Sequence, residues 1–261
     1  MPAPPSVGQL AFVPVRAPRR TIRNHRRASD HTVRRGIVAI WLALVAADVA
    51  AQVSGTASLV SNYRFRGISL SDDKPAAQLG ITYDDAQNWY AGVFASTVKF
   101  ATPSSLELQA IPFVGYALRT ASGVSWEVGA DYSFFTGSAQ DHDYPEVYFG
   151  VASENISGRL YYSTRYFGEN AATIYGEING THLLFDRVRL LAHVGILHST
   201  NGSLYYGGPN HLLDGRVGVG IDLDQFNVEL SWVGINSSSA AYGIIGVRSH
   251  NGLVLTLLRS F

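Results

Sequence analysis

The sequence contains no cysteine among its 261 residues. Disulfide bonds, thiolate nucleophiles and cysteine-ligated zinc are therefore excluded. The sequence also lacks HExxH, GxSxG and P-loop motifs, which mark metalloproteases, serine hydrolases and nucleotide-binding proteins. We therefore expect no catalytic residues, no metal ligands and no cofactor.

An excess of basic charge is absent as well, since 20 Lys and Arg residues balance 20 Asp and Glu residues. The balance conceals an asymmetry, because residues 1–35 contain eight arginines and one acid, Asp30. From Gln52 onward the chain has 12 basic and 18 acidic residues. Nucleic-acid-binding domains carry a basic surface, so we expect no nucleic-acid partner.

The N-terminal region has one short apolar run, at residues 37–47, well below the roughly 20 residues that a membrane-spanning helix needs. The arginines at 34–35 precede this run, and the small residues at 49–51 follow it, as in a secretory signal peptide. We predict that residues 1–51 are a basic N-terminal extension plus a cleaved signal peptide, and that residues 52–261 are one domain. The alternative interpretation is a helical membrane anchor.

In the mature chain, hydrophobic residues recur at every second position. In the stretch VSWEVGADYSFF (124–135), hydrophobic residues alternate with Ser, Glu, Gly and Asp. Successive side chains of a β-strand point to opposite faces, so such a strand has one apolar and one polar face. Similar stretches predict twelve strands, at 56–67, 76–84, 88–98, 106–119, 124–135, 145–153, 158–167, 172–182, 188–198, 211–222, 226–235 and 250–261.

The connections between the predicted strands alternate in length. The short ones are 85–87, 120–123, 154–157, 183–187 and 223–225. The others are mostly longer and rich in Gly, Ser, Asp and Asn, at 68–75, 99–105, 136–144, 168–171, 199–210 and 236–249. Outer-membrane barrels have short periplasmic turns and longer extracellular loops. An even number of strands also places both chain ends on the side of the short turns.

The apolar strand faces can lie against lipid or against a protein core. A soluble β-sandwich or a lipocalin-like barrel also has period-two strands. The strand lengths favour lipid, because a spanning strand needs about 9–11 residues whereas a typical globular strand has about 5–6. The polar faces also carry charges in mid-strand, as a water-filled interior allows. We therefore predict an all-β fold, a transmembrane antiparallel β-barrel of about 12 strands in the outer membrane of a Gram-negative bacterium.

Aromatic residues cluster near the ends of the predicted strands, where outer-membrane barrels have two interfacial girdles. The chain ends in GLVLTLLRSF. We interpret the terminal Phe261 as a signal that the outer-membrane assembly machinery reads. The residues assigned to the girdles are Tyr63, Phe65, Tyr83, Trp89, Tyr90, Tyr132, Phe134, Tyr166, Phe167, Phe226 and Trp232.

Two stretches resemble a known family. Residues 61–97 are similar to the N-terminal half of the TorF-type porins, also catalogued as the Gcw_chp family of proteobacterial conserved proteins, and the core YRFRGIS (63–69) carries most of the likeness. Residues 143–168 resemble the second block of that family. The resemblance implies an outer-membrane β-barrel that acts as a porin, but it supplies no substrate. The basic residues 1–32 depart from the family pattern.

Strand parity predicts a lumen that carries charges of both signs. We expect a porin that passes small hydrophilic solutes passively, with outer-membrane lipid around it and no enzymatic activity. The alternative is a non-conducting barrel with a structural or adhesive role through its long loops, since inward Tyr148, Tyr161 and Tyr175 can narrow or seal the lumen. For Arg64 and Arg66 two interpretations stay open: they line the outer mouth, or they pair with interior carboxylates and plug the barrel. The predicted lumen-lining residues are Arg64, Arg66, Glu107, Glu127, Asp131, Glu146, Arg159, Arg165, Glu177, Arg189, Asp214, Arg216 and Glu229.

Overall fold

The described part of the chain is almost entirely β-strand. The computed structural model describes residues 52–100, 106–169, 172–200, 204, 210–236, 240–242, 247–248 and 251–261. The predicted basic extension and signal peptide, residues 1–51, lie outside the described residues. Two short 3-10 helices occur at Gly137–His142 and Tyr166–Gly168. In these ranges, none of the helices has the length and apolar character to cross a membrane.

Twelve strands form a closed antiparallel barrel, which confirms the predicted architecture. The strands are β1 (Gln52–Val60), β2 (Arg64–Phe65), β3 (Ile68–Ser69), β4 (Ala76–Asp84), β5 (Trp89–Lys99), β6 (Leu106–Arg119), β7 (Ser125–Phe135), β8 (Tyr144–Ala152), β9 (Ile156–Ser163), β10 (Thr173–Phe185), β11 (Val188–Ser199), β12 (His211–Leu223), β13 (Phe226–Ile235), β14 (Ala240–Tyr242), β15 (Val247–Arg248) and β16 (Gly252–Ser260). The barrel contains β1, β4 to β13 and β16, in sequence order around the wall. The pairs β2–β3 and β14–β15 are separate two-stranded sheets.

The barrel closes between its first and last strands. Thr56 of β1 pairs with Ser260 of β16. Next to this pair, Gly55 and Phe261 exchange two backbone hydrogen bonds of 2.9 and 3.0 Å. In the closed barrel, backbone N–H and C=O groups of the first and last strands bond to each other, whereas lipid would offer them no hydrogen-bond partner. Closure therefore removes the exposed strand edges that an open sheet would present to the membrane.

Hydrophobic side chains cover the outside of the barrel, and polar side chains fill the inside. On β7, Val128 is 49% exposed, whereas its chain neighbour Glu127 is 2% exposed. On β11, Val194 is 47% exposed and Arg189 is 3% exposed. Soluble proteins bury such aliphatic residues and expose such charges. The inversion requires lipid around the wall, so the molecule is an outer-membrane barrel and not a soluble sandwich.

The first predicted strand, 56–67, is wrong at its C-terminal end. β1 ends at Val60, and residues 61–75, called the inner segment below, fold back into the barrel. Within the inner segment, Tyr63 and Leu70 are 1% and 0% exposed. Residues 62–66 alternate between polar and aromatic side chains, and this alternation fits a lipid-facing strand as well as a segment inside the lumen.

Part of the predicted aromatic girdles is also wrong, because these rings lie inside the barrel. Tyr63, Tyr166 and Phe167 are buried, Phe65 packs against Phe167, and Tyr90 bonds to an interior carboxylate. The other assigned rings are exposed on the outer surface: Tyr83, Trp89, Tyr132, Phe134, Phe226 and Trp232. Periodicity separates the two faces of a strand, but it does not show where a strand ends and a loop turns inward.

Candidate functional site

The inner segment crosses the barrel interior as a tight hairpin. β2 and β3 pair antiparallel, and the two turn residues between them, Arg66 and Gly67, have φ angles of 49° and 78°. Two successive positive φ angles are the geometry of a type I′ turn, which favours glycine at the second position. A Cβ on Gly67 would also lie 2.7 Å from the Cβ of Asp214 on β12. Glycine is therefore required both by the backbone conformation and by the close approach to the wall.

Hydrogen bonds fix the inner segment to β5 and β6. The Tyr63 hydroxyl donates to Gln109 Oε1 at 2.9 Å, and Lys99 N donates to Leu70 O at 2.8 Å. Burial raises the pKa of the Tyr63 hydroxyl above its usual value, so the group stays protonated and available as a donor. The base of the hairpin is thereby held against one side of the wall.

Arg66, at the tip of the hairpin, is held by strands farther around the wall. Its Nη1 and Nη2 donate to Glu146 Oε1 and Oε2 at 3.0 and 2.6 Å. Its guanidinium carbon lies 4.2 Å from the ring centre of Tyr175 and 4.9 Å from that of Tyr161. Bidentate carboxylate binding and stacking on aromatic faces both suit a planar guanidinium. Arg66 therefore pairs with an interior carboxylate and links the hairpin to β8, β9 and β10.

Aromatic rings surround Phe167 at the loop-side end of the barrel. The ring centre of Phe167 lies 5.1 Å from that of Tyr144, 5.6 Å from Phe135 and 6.4 Å from Phe65. Phe65 belongs to the inner segment, so this cluster joins the hairpin to the ends of β7, β8 and β9.

A second ion pair lies nearer to the short-turn end. Arg159 Nε donates to Glu127 Oε1 at 2.7 Å, and Arg159 Nη1 donates to the Tyr161 hydroxyl at 2.9 Å. The other carboxylate oxygen of Glu127 accepts a 2.6 Å hydrogen bond from the Tyr90 hydroxyl, which also contacts the Tyr148 hydroxyl at 2.9 Å. The wall at β5 to β9 thus carries a connected network of charged and phenolic groups.

A third group of charges lies on β10 to β12. His193 Nε2 is 2.7 Å from Asp214 Oδ1, and His193 Nδ1 is 2.8 Å from Asn179 Oδ1. Both ring nitrogens are occupied, so neither is available as the general base of an acid–base reaction. Arg189 pairs with Asp222 at 3.0 Å. In the part of the chain that the structure describes, no three His, Cys, Asp or Glu residues are grouped to hold a metal ion.

Most of the predicted lumen-lining residues lie inside the barrel. Arg165 does not: it is exposed beyond the end of β9, and its Nε donates to Gly168 O at 3.0 Å. Arg64 lies in the inner segment and pairs with Asp73 at 3.0 Å, and Arg216 is partly buried. The buried members are Arg66, Glu107, Glu127, Asp131, Glu146, Arg159, Glu177, Arg189, Asp214 and Glu229.

Several interior residues were missed at the level of the sequence. Tyr90 lies on the same face of β5 as Gly92 and Ser96. Its place beside these small and polar residues indicated that its side chain points inward. For Tyr63, the Arg-Gly dipeptide at 66–67 was the available signal of a turn. Nothing in the local pattern pointed to Gln109 as the partner of Tyr63.

The inner segment has a cavity on each side. One cavity lies between the inner segment and β5 to β10, with about 460 Å³ of empty space if the adjoining open solvent is included. The other lies between the inner segment and β1, β4, β11 to β13 and β16, with about 530 Å³ measured in the same way. Tyr63 and Arg66 line both cavities, so the hairpin divides the lumen into two spaces.

Two of the solved structures to which the chain is similar are porins. The NanC porin, solved in a rhombohedral crystal form, is similar with a TM-score of 0.51 and 11% identity over 80% of this chain and 99% of that one. The KdgM porin in complex with disordered oligogalacturonate aligns with a TM-score of 0.49 and 11% identity over 81% of this chain and 99% of that one. No curated protein matches the sequence significantly.

The family comparison covers most of the chain. Residues 45–261 match the model described as "Bacterial protein of unknown function (Gcw_chp)". The likeness to NanC, at 11% identity, concerns the fold alone. The match spans both stretches on which the sequence resemblance rests, 61–97 and 143–168. The chain belongs to the Gcw_chp family of bacterial proteins, and its barrel has the porin-like architecture of the outer membrane.

Proposed function

We propose that this protein is an outer-membrane porin for small hydrophilic solutes, and that the inner segment sets the width of the passage. The observation that carries the proposal is the charged hairpin that crosses a polar lumen and has a cavity on each side. Displacement of this one segment from the lumen would join the two cavities into a wider space. A passage regulated in this way suits small solutes rather than large ones.

The chemistry of the wall supports hydrophilic solutes. Buried ion pairs such as Arg66–Glu146 and Arg159–Glu127 lose hydration, and hydrophobic replacements are often at least as stable. A barrel with only a structural role gains little from such an interior. The same groups offer hydrogen bonds to a polar solute that leaves water on entering the lumen.

The family resemblance and the chain end add to the proposal. The core YRFRGIS (63–69), on which the likeness to the TorF-type porins rests, is the segment that forms the hairpin. We also infer that Phe261, which is 68% exposed beside the closing strands, is recognised by the outer-membrane assembly machinery. Lipid is the partner of the exposed apolar wall.

The second candidate function is a non-conducting barrel that acts through its long loops. The observation that favours it is the number of contacts that hold the hairpin: Arg66 is bound by Glu146 and by aromatic rings, and Phe65 packs into the cluster around Phe167. If the hairpin never leaves the lumen, the two cavities stay separate.

Single-channel recording in a planar bilayer separates these functions. We expect small channel events from the full chain, and larger ones from the double variant Arg66→Gln/Glu146→Gln, which removes both partners of the ion pair that holds the hairpin. Arg187→Gln is the control for loss of an arginine, because Arg187 lies at the exposed turn before β11. A heat-modifiability gel checks that each variant is folded. Silence of both the wild type and the folded double variant would support the non-conducting barrel.

A further inference from the structure

The cavity between the inner segment and β5 to β10, called the Asp131 cavity here, has an uneven charge. Asp131, Glu146 and Glu177 line it, with one guanidinium, Arg66, against them. The remaining walls are largely aromatic or aliphatic, and include Phe94, Ile111 and several tyrosines. The space thus combines excess negative charge with the faces of aromatic rings.

Two carboxylates of this cavity, Asp131 and Glu177, have no ion-pair partner among the described residues, but Glu177 accepts a 3.3 Å hydrogen bond from Asn179 Nδ2. Asp131 is 6% exposed, and its Oδ2 has no hydrogen-bond partner. The cations that act on it are engaged elsewhere, since Arg66 is bound by Glu146 and Arg159 by Glu127.

The position of Asp131 increases the cost of its charge. Asp131 on β7 is directly opposite Glu146 on β8, and both side chains point inward. Like charges in directly opposite positions repel each other, and a buried charge is unfavourable unless it is paired. A cation next to Asp131 would offset both effects.

We propose that the Asp131 cavity binds a small organic cation, a protonated amine with an apolar body, through a charge-assisted hydrogen bond to Asp131. The aromatic walls favour this ligand over an inorganic ion, because ring faces attract cations and the apolar lining covers a hydrocarbon body. The cavity is also not a grouped set of metal ligands. This inference rests on the proposed porin function and names the class of solute that the lumen selects.

Isothermal titration calorimetry on the folded full chain in detergent tests the inference. The probes are phenethylamine, which is protonated at neutral pH, and 2-phenylethanol, its neutral counterpart of the same size. We expect phenethylamine to bind the wild type and the alcohol to bind about tenfold more weakly or not at all, because only the ammonium pairs with a carboxylate. Equal binding of the two probes, or no binding of the amine, would overturn the inference.

Variants locate the binding. Asp131→Asn should weaken binding of the amine by about tenfold or more, since it removes a charge-assisted hydrogen bond, and Asp131→Glu should retain most of it. Glu154→Gln is the matched control, because it removes one carboxylate from an exposed short turn. Unchanged binding in a folded Asp131→Asn variant would contradict the assignment. If the Asp131→Asn variant does not fold, the comparison of the amine with the alcohol on the wild type still tests whether binding requires a positive charge.

Conductance distinguishes failure of this inference from failure of the proposed function. Amine binding without channel events would support the cation site and overturn the porin function. Channel events that phenethylamine does not reduce, together with an absence of calorimetric binding, would support the porin function and overturn the cation site.

Discussion

The outer surface and the interior of this barrel arise from the same alternating pattern, but their residues depend on their neighbours to different degrees. Val128 on the outside is 49% exposed and faces lipid, so its main requirement is to be apolar. Glu127, its chain neighbour on the inside, bonds to Arg159 and Tyr90 with specific geometry. The outside is therefore defined by composition, and the inside by particular partners.

The largest expected effect is that of a charge on the outer surface. Val128→Arg should cost about 2–4 kcal/mol if the side chain lies near the bilayer midplane, and a heat-modifiability gel should show little folded protein. Leu106→Arg is the matched control: Leu106 is 72% exposed at the end of β6, and near the interface the cost falls to about 0–1 kcal/mol. Equal folding yields of the two variants would contradict a lipid-facing wall.

On the inside of the barrel, one added methyl group should lower the stability of the protein. Gly129→Ala places a Cβ 2.5 Å from the Tyr148 ring and 2.6 Å from Val114 O, and such overpacking costs about 1–3 kcal/mol. Gly220→Ala is the control, because the nearest atom would be 3.4 Å away, on Arg189. The midpoint of thermal unfolding in detergent should fall for the first variant only. Similar midpoints would mean that the tyrosine moves aside freely.

A smaller difference is expected between an inner and an outer tyrosine. Tyr63→Phe removes the 2.9 Å hydrogen bond to buried Gln109, and should cost about 1 kcal/mol, typical of one net hydrogen bond. Tyr83→Phe, on the lipid-facing side where Tyr83 is 47% exposed, is the matched change. Urea unfolding midpoints compare the two. A larger loss of stability for Tyr83→Phe than for Tyr63→Phe would contradict the view that interior residues depend more on particular partners.

The smallest effect concerns ion selectivity. Seven buried lumen acids stand against three buried arginines, and a low-dielectric wall focuses their field. We expect a mild cation preference in reversal potentials under a KCl gradient, because several of these charges are paired within the wall. The preference should shrink at 1 M salt, where the Debye length is ~3 Å. A clear anion preference would mean that Arg66 and its neighbours dominate the constriction.

The candidate site was predictable in part from the sequence. Strand parity predicted that Glu127 and Glu146 face inward, because a register with one apolar face leaves the other face to the lumen. The alternation predicted an inward position for Arg165, and this prediction is wrong. β9 ends at Ser163, and beyond that residue side chains no longer alternate between the two faces of a strand. The alternation also did not show that the ring of Tyr148 packs over Gly129, since that contact joins residues of different strands.

The sequence by itself determined the membrane barrel, its twelve strands and the two faces of its wall. These follow from a period of two, strand lengths near the bilayer thickness and alternating loop lengths, all of which are local properties. Only the tertiary structure decided that residues 61–75 turn into the lumen. The contact that holds them there joins Arg66 to Glu146, 80 positions apart. Such a pair depends on how far apart the closed barrel places its strands, and no local pattern encodes that distance.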